Sequence, residues 1–451
     1  MAEGAQTFNP ESSDPKNPRS AFDAHHPPST DLVKDCVHCG FCLPTCPTYA
    51  LWGEEMDSPR GRIYLMKLAL EGQVPLDSTF VTHMDNCLGC MACMSACPSG
   101  VQYDKLIEAT RAQIERNYLR SLSDRLLRTM IFHIFPRPAR LNLILAPMRI
   151  YQRSGLQSLI RRTGILNLLP SSLRTMEELM PSAPADANGN ELPQRMEAQG
   201  ERRLRVGLLL GCVQRVFFPE VNAATARVLA VEGCEVVIPS DQGCCGALMV
   251  HAGEEKAALD YARRTIDAFE SAKIDVIVTN AAGCGSSMKK YAYLLRDDPD
   301  YAERARIVSA KCRDISEVLA ELEPRAARHP LPLKVAYHDA CHLQHAQEVR
   351  AQPRAVLGRI PGLQVLEIAE PALCCGSAGI YNLVQPGPAR QLGDRKAHNA
   401  LAATPDIIAT GNPGCVLQLR SALKRAGSNV AVLHIVQLLD ASIRGASPDW
   451  L

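Results

Sequence analysis

At 451 residues, with 46% hydrophobic and 22% charged residues, the chain has a globular composition and is too long for one core, so about three domains are expected. Its 49 Lys and Arg against 48 Asp and Glu leave a formal net charge of +1, which gives no electrostatic reason to expect nucleic acid as a partner. No uninterrupted apolar run reaches the roughly 18 residues of a membrane span, and the 18 cysteines fall in C-x2-C and C-C clusters, which in a reducing cytoplasm means metal or redox chemistry.

Residues 1–30, rich in Pro, Ser, Asp and Asn, read as a disordered tail that is neither signal peptide nor anchor. Ser29, Thr30 and Asp31 then offer capping side chains for a short turn of helix leading into Cys36. From 31 to 110 the chain makes the same statement twice: C-V-H-C-G-F-C-L-P-T-C-P carries Cys36, Cys39, Cys42 and Cys46, and C-L-G-C-M-A-C-M-S-A-C-P carries Cys87, Cys90, Cys93 and Cys97. Both are C-x2-C-x2-C-x3-C-P, the run of two-cluster ferredoxins, in which three thiolates hold one 4Fe-4S cluster and the fourth, before Pro, ligates the other. The expected ligand sets are therefore Cys36, Cys39, Cys42 and Cys97 for one cluster, and Cys87, Cys90, Cys93 and Cys46 for the second. A pair of zinc sites would leave the middle Cys of each run and the C-P endings unexplained. Gly40 and Gly89 supply backbone freedom beside the ligands, and the proline after each fourth Cys is expected to stop the turn from continuing as helix. Between the runs, Asp57 to Gly72 reads as a turn and an amphipathic helix carrying Ile63, Leu65, Met66, Leu68 and Leu70. Arg60 and Arg62 at its start either offset the charge of a thiolate-ligated cluster or sit at a solvated helix end.

Residues 111–169 form an Arg-rich, strongly apolar helical connector, which Pro136, Pro138 and Pro147 are expected to break into several helices. The favoured reading packs these helices on the neighbouring domain with Arg reaching outward; the other docks them on a membrane surface or an acidic partner. Residues 170–203, with S-A-P-A-D-A-N-G-N-E-L-P, read as a linker.

The C-terminal half is an internal duplication, 204–328 and 329–451. Cys212, Cys244, Cys245 and Cys284 recur as Cys341, Cys374, Cys375 and Cys415 at offsets of 129, 130, 130 and 131 residues. Short β-branched runs alternating with helical stretches indicate βα units with a parallel sheet, and the cysteines fall in the loops after strands, where open α/β sheets bind ligands. Three readings of these C-C-G sets stand: a further iron-sulfur cluster, a dithiol redox site, or a reduced structural remnant. Cys234 and Cys312 lie outside the register and read as ordinary buried cysteines. His338, His342 and His345 occur in the second repeat alone, so hydrogen bonding within the fold is expected of them before metal ligation. The fold class is thus α+β multidomain, an α-helical two-[4Fe-4S] ferredoxin-like module followed by two duplicated α/β cysteine-rich domains with parallel sheets.

No G-x-G-x-x-G follows a strand, and there is no Walker-type loop or G-x-S-x-G elbow, so the sequence points to electron transfer without a substrate site of its own. A two-electron organic oxidation feeding such clusters needs a flavin, which must then sit on another subunit. The chain resembles the iron-sulfur subunit of bacterial glycolate oxidase, through Cys36 to Tyr49, S-P-R-G-R-I-Y-L from Ser58, N-A-A-T-A-R-V-L from Asn222, H-L-Q-H-A-Q from His342 and L-C-C-G-S-A-G from Leu373. That resemblance implies a complex with FAD-bearing subunits that oxidises glycolate, often also D-lactate, and delivers electrons to a quinone or another respiratory acceptor. It also implies a cytoplasmic location, peripheral on the cytoplasmic face of the inner membrane. The C-C-G repeat is shared with heterodisulfide reductase and with lactate and glycerol-3-phosphate dehydrogenase subunits, which are the alternative readings. In its fullest form that repeat ends in C-x-x-C; here Ala281 and Asn412 stand at the earlier position.

Overall fold

The computed structural model describes residues 20–181 and 192–446. They divide into two compact units, one made of the described residues up to Leu122 with His251–Glu254, and one made of those in Ser123–Val250 and from Glu255 onward.

The first unit is helical. Ser29 Oγ accepts the Leu32 amide at the start of Thr30–Lys34, as its position predicts. The helix expected after Asp57 runs Pro59–Leu70, capped by Ser58 and burying Ile63, Met66, Ala69 and Leu70, while Leu65 and Leu68 are half-buried. Pro47 does more than end a turn: it occupies the first position of the helix Pro47–Trp52, where its missing N–H costs nothing. Ser78–Asn86 and Tyr103–Asn117 complete the frame.

Residues 1–19 of the expected tail lie outside the described residues, but Ser20, Phe22 and Pro28 are buried. Phe22 is fully buried edge-on against Phe80, the Ala21 amide donates to Ala69 O at 2.9 Å, and Asp23 accepts from Gln113, Arg116 and Asn117. A polar composition hid one aromatic anchor and one carboxylate with three partners.

The second unit contains the connector and both repeats. Strands β1 (Arg195–Met196), β2 (Leu204–Leu208), β3 (Cys234–Val237), β4 (Val276–Thr279) and β5 (Cys312–Asp314) form a sheet of order β1-β3-β2-β4-β5, parallel except for β1. The second repeat gives β6 (Lys334–Tyr337), β7 (Gln364–Glu367), β8 (Ile407–Thr410) and β9 (Ala431–His434) in the order β7-β6-β8-β9, all parallel. Chain order reverses at β2 in one sheet and at β6 in the other, which opens a crevice at their carboxyl ends.

The repeats share one core, beside a smaller cluster around Ile266, Phe269 and Tyr291 that belongs to the first repeat alone. Val206, Leu208, Val236 and Val278 of the first sheet belong to one buried cluster with Val335, Ala336 and Ile408 of the second and Leu419 of the helix Pro413–Arg425. Pro219–Val231 packs on Ile435–Arg444, and its counterpart Ala351–Gly358 packs on Ile315–Glu321, a reciprocal exchange that makes the pair pseudo-twofold. At about 1.5–3 kcal/mol per fully buried aliphatic side chain, separating the repeats is strongly unfavourable.

The connector is a series of helices, Leu122–Ile134, Pro138–Arg153, Leu156–Thr163 and Ser171–Glu178. Pro138 opens a helix, whereas Pro147 lies inside one and does not end it. One face packs, with Leu141 and Met148 against Val216. The rest leaves Leu143, Ile150, Leu159 and Leu168 at 58–84% exposure. Of the stretch read as linker, 182–191 lie outside the described residues; Ser171–Glu178 is helix and β1 joins the first sheet.

Candidate metal centres

In the first unit one cavity is lined by Cys36, Cys39, Cys42 and Cys97 together, along with Cys93, His38, Arg60 and Ile63. The last cysteine of the second run thus reaches the first three of the other run. Cys46 bears electrostatically on Cys93, as Cys90 and Cys87 do, and also on Cys42 of its own run. Cys46, Cys87, Cys90 and Cys93 are buried, and Cys39 is exposed, so one thiol set is enclosed and the other meets solvent.

The backbone repeats as the sequence does. Two and four residues after the first cysteine the chain turns left-handed in both runs, at His38 (φ 55°) and Gly40 (φ 88°), and at Gly89 (φ 58°) and Met91 (φ 63°). Holding the non-glycine residues there costs about 1–3 kcal/mol each, a strain spent on curling three sulfurs about one point. The Gly89 amide donates to Cys87 Sγ at 3.3 Å.

Burial pushes the Cys42 thiol up to about 11 and the Cys93 thiol well above its ordinary value, and neighbouring thiols push the same way. Such a set cannot ionise together without a cation, and thiolate-binding iron is what the donors fit. A bound iron-sulfur cluster supplies one-electron transfer.

Arg62, for which the sequence allows two readings, is not a solvated helix end. It is 1% exposed; Nη2 donates to Asp57 Oδ1 at 3.0 Å and Thr48 Oγ1 at 3.2 Å, and Nε donates to His83 O at 2.6 Å. Burial opposes its charge, but Cys87, Tyr103, Cys46 and Asp57 around it hold the guanidinium above its ordinary pKa. Thr48 passes this frame to the cluster loop, with its Oγ1 3.3 Å from Cys46 Sγ. Arg60 stays partly exposed, bound to Glu55 and to the His38 carbonyl. Arg111, from Tyr103–Asn117, donates to Cys87 O.

In the second unit the cysteines stand where the sequence placed them, after successive strands: Cys212 after β2, Cys244 and Cys245 after β3, Cys284 after β4, and Cys341, Cys374, Cys375 and Cys415 after β6, β7 and β8. Cys374 lies against both Cys341, with the sulfurs 3.8 Å apart, and Cys375, and Cys375 lies against Cys415. The first repeat has the same order of contacts: Cys244 to Cys212 and Cys245, and Cys245 to Cys284. In each set the second member of the adjacent pair is stabilised as thiolate: Cys245 by hydrogen bonds from Cys244 and Cys284, and Cys375 by those from Cys374 and Cys415. Gly376 must be glycine here, because at φ 87° an added Cβ lies 2.4 Å from Ala389 O. The two sets adjoin: the Gly283 amide, beside Cys284, donates to Asn412 Oδ1, and Asn412 Nδ2 donates to Cys415 Sγ. Cys234 and Cys312 are fully buried, as expected.

The histidine expectation holds for His345, whose Nε2 lies 3.3 Å from Ala372 O and whose pKa burial lowers to about 4. His338 meets sulfur instead of a backbone carbonyl. That ring is 2% exposed, neither nitrogen meets an oxygen or nitrogen partner, and it faces the sulfurs of Cys375 and Cys415, with the Cys375 sulfur as its hydrogen-bonding neighbour. Lys396 is a residue that sequence reasoning misses: its Nζ is buried beside Cys375 and Cys374 and donates to Glu370 O at 2.6 Å. The legible signal for it is a lone cation on the apolar stripe of Pro386–Ala402.

Thiol sets of this kind, at paired cluster runs and at the carboxyl ends of two duplicated sheets, define an iron-sulfur electron-transfer protein. Comparison with known families agrees part by part. A 4Fe-4S dicluster domain matches residues 32–101, a cysteine-rich domain matches 206–289 and 335–420, and the linker region of the glycolate oxidase iron-sulfur subunit matches 123–180. The chain is 40% identical to the "probable glycolate oxidase iron-sulfur subunit" of Bacillus subtilis over 90% of its own length and 93% of the relative's. It is 37% identical to the glycolate oxidase iron-sulfur subunit of Escherichia coli over 91% and 94%. A lactate utilization protein A of Exiguobacterium is 28% identical over 53% of this chain and 99% of its own. The chain belongs to the glycolate oxidase iron-sulfur subunit family. No described helix is long and apolar enough to cross a membrane.

Proposed function

We propose that the chain holds two 4Fe-4S clusters, one on Cys36, Cys39, Cys42 and Cys97 and one on Cys87, Cys90, Cys93 and Cys46, and relays electrons from FAD on a partner subunit that oxidises glycolate, and D-lactate, to the corresponding 2-oxo acid. The partner's flavin accepts the electron pair, and the relay carries it onward one electron at a time towards a quinone or another respiratory acceptor. The observation that supports this most is the company Cys97 keeps with Cys36, Cys39 and Cys42 in one cavity, at whose wall Cys93 of the other set also stands. Arg62 and the backbone amides hold the thiolate charge, while the burial of Cys87, Cys90 and Cys93 keeps water from one set. The C-C-G sets, Cys212, Cys244, Cys245, Cys284 and Cys341, Cys374, Cys375, Cys415, are proposed to hold further iron-sulfur centres. Their adjacency through Gly283 and Asn412 suits transfer from one to the other.

Exposed Leu143, Ile150, Leu156, Leu159 and Leu168, set among exposed Arg137, Arg140, Arg153 and Arg162, favour peripheral seating on the anionic cytoplasmic face of the inner membrane. The test of the relay is co-purification with a flavoprotein and glycolate-dependent dye reduction that is lost in Cys39→Ser and in Cys90→Ser. Dye reduction by L-lactate or glycerol 3-phosphate and not by glycolate would overturn the substrate assignment and leave the relay standing.

A further inference from the structure

The two C-C-G sets share a backbone but not their surroundings. The Leu209 amide donates to Val278 O at the end of β2, and the His338 amide donates to Ala409 O at the end of β6, so Leu209 and His338 occupy equivalent positions. Next to Cys284 and Cys415, the first repeat has Ala281 where the second has Asn412. The first set is thus faced by apolar side chains at both points, and the second by an imidazole and an amide.

A buried imidazole whose only polar neighbours are sulfurs forfeits most of the hydrogen bonding it made in water, and folded proteins rarely tolerate this without a reason. His338 has such a reason at hand: one of its nitrogens and the sulfurs of Cys375 and Cys415 all lie within 4.8 Å of one another. The Cys341 to Cys374 sulfur separation is 3.8 Å, and two thiolates about 2.3 Å from one tetrahedral ion are separated by about that much. Imidazole is an accepted partner of thiolate on iron.

We propose that His338 is a nitrogen ligand of the metal centre held by Cys341, Cys374, Cys375 and Cys415, so that the second repeat carries a mixed thiolate-imidazole centre while the first, on Cys212, Cys244, Cys245 and Cys284, is ligated by sulfur alone. This rests on the reading that the C-C-G sets hold iron-sulfur centres. It gives the duplication a function: two centres of one ancestry with unequal ligands. A neutral nitrogen donor present at one centre and absent from the other leaves the thiolate count equal and makes the two centres differ in donor set and potential.

The test uses the full chain, loaded anaerobically with ferrous iron and sulfide, as wild type, Cys375→Ser, His338→Leu and His338→Cys. Leucine is the residue the first repeat already accommodates at this position, and circular dichroism together with the signals of the ferredoxin-type clusters reports folding. The wild-type minus Cys375→Ser difference isolates the second-repeat centre for iron counting and for pulsed paramagnetic resonance with 15N-histidine labelling. The expected results are a directly bonded nitrogen coupling in that difference, its loss in both His338 variants, iron falling in His338→Leu to the Cys375→Ser level, and iron restored in His338→Cys. Unchanged iron and an unchanged nitrogen coupling in His338→Leu would overturn the ligand assignment alone. Unchanged iron in Cys375→Ser would remove the centre itself and the proposal with it.

Discussion

Replacing Arg62 with methionine keeps the length of a fully buried side chain and removes its charge and its hydrogen-bond donors. Asp57, whose side chain is 7% exposed, then keeps Asn86 Nδ2 at 3.1 Å and His83 Nδ1 at 3.2 Å, and the His83 carbonyl loses the Arg62 donor. Removing one partner of a buried ion pair costs about 3–5 kcal/mol, because the remaining charge is left uncompensated. Asn86 and His83 soften this, so the lower half of that range is expected. Arg62→Met with Asp57→Asn removes both charges, and about half of the loss should return, a coupling of about 1–3 kcal/mol in the double-mutant cycle. The assay is anaerobic denaturant unfolding followed in parallel by far-ultraviolet dichroism and cluster absorption. A second readout is redox: losing a cation beside the Cys87 and Cys46 sulfurs disfavours the more negative reduced state, so the cluster bound by the second run becomes harder to reduce. An Arg62→Met protein within about 1 kcal/mol of wild type, with an unshifted potential, would refute the reasoning.

Other consequences can be measured directly. Cys97→Ser and Cys39→Ser should leave the same residual paramagnetic signal, and Cys46→Ser should match Cys90→Ser; matching within a run instead would contradict the crossed ligand sets. Gly376→Ala should destabilise the second unit by more than the roughly 1–3 kcal/mol of backbone strain alone, and more than Gly246→Ala, whose added Cβ lies 3.2 Å from Ala258 O instead of 2.4 Å from Ala389 O; thermal melts rank the pair. Asp23 has a pKa near 2, because hydrogen bonds from Arg116, Asn117 and Gln113 overcome the upward push of burial. A depressed carboxylate stabilises above its unfolded pKa of 3.8, so Asp23→Asn should lower stability at neutral pH by about 1–2 kcal/mol after solvent screening. That difference should close as the pH falls from about 4 to 2. Leu156→Glu with Leu159→Glu should weaken sedimentation with anionic vesicles several-fold while leaving the cluster absorption unchanged.

The chemistry of this chain is legible because it is written in spacing. Eight cysteines in two C-x2-C-x2-C-x3-C-P runs prescribe which sulfur meets which, and the 129- to 131-residue offsets prescribe two sheets with cysteines after equivalent strands. What spacing cannot carry is environment. Arg62 looks the same in sequence whether it points to water or to Asp57, and the choice is made by Ser78–Asn86 closing over it, with His83 and Asn86 facing the pair. Phe22 is one apolar residue in a polar stretch, and its burial depends on Phe80, which is distant in sequence. The two repeats read as two domains because each has a complete sheet; their union comes from helix faces whose partners are exchanged between repeats. The first repeat has Leu209 where the second has His338, which argues against a shared ligand at that position, yet in a duplicated protein a polar residue opposite an apolar one marks where the two halves have diverged.

The central claim is that electrons released from glycolate pass through this chain. The most direct measurement is freeze-quenched paramagnetic resonance of the anaerobic complex with its flavoprotein partner, mixed with glycolate in the presence of an artificial acceptor. Reduced-cluster signals should appear in the wild type within the turnover time, and acceptor reduction should stop in Cys39→Ser and Cys90→Ser while the flavin still becomes reduced. Acceptor reduction at the wild-type rate in both variants, with the clusters silent, would contradict the relay.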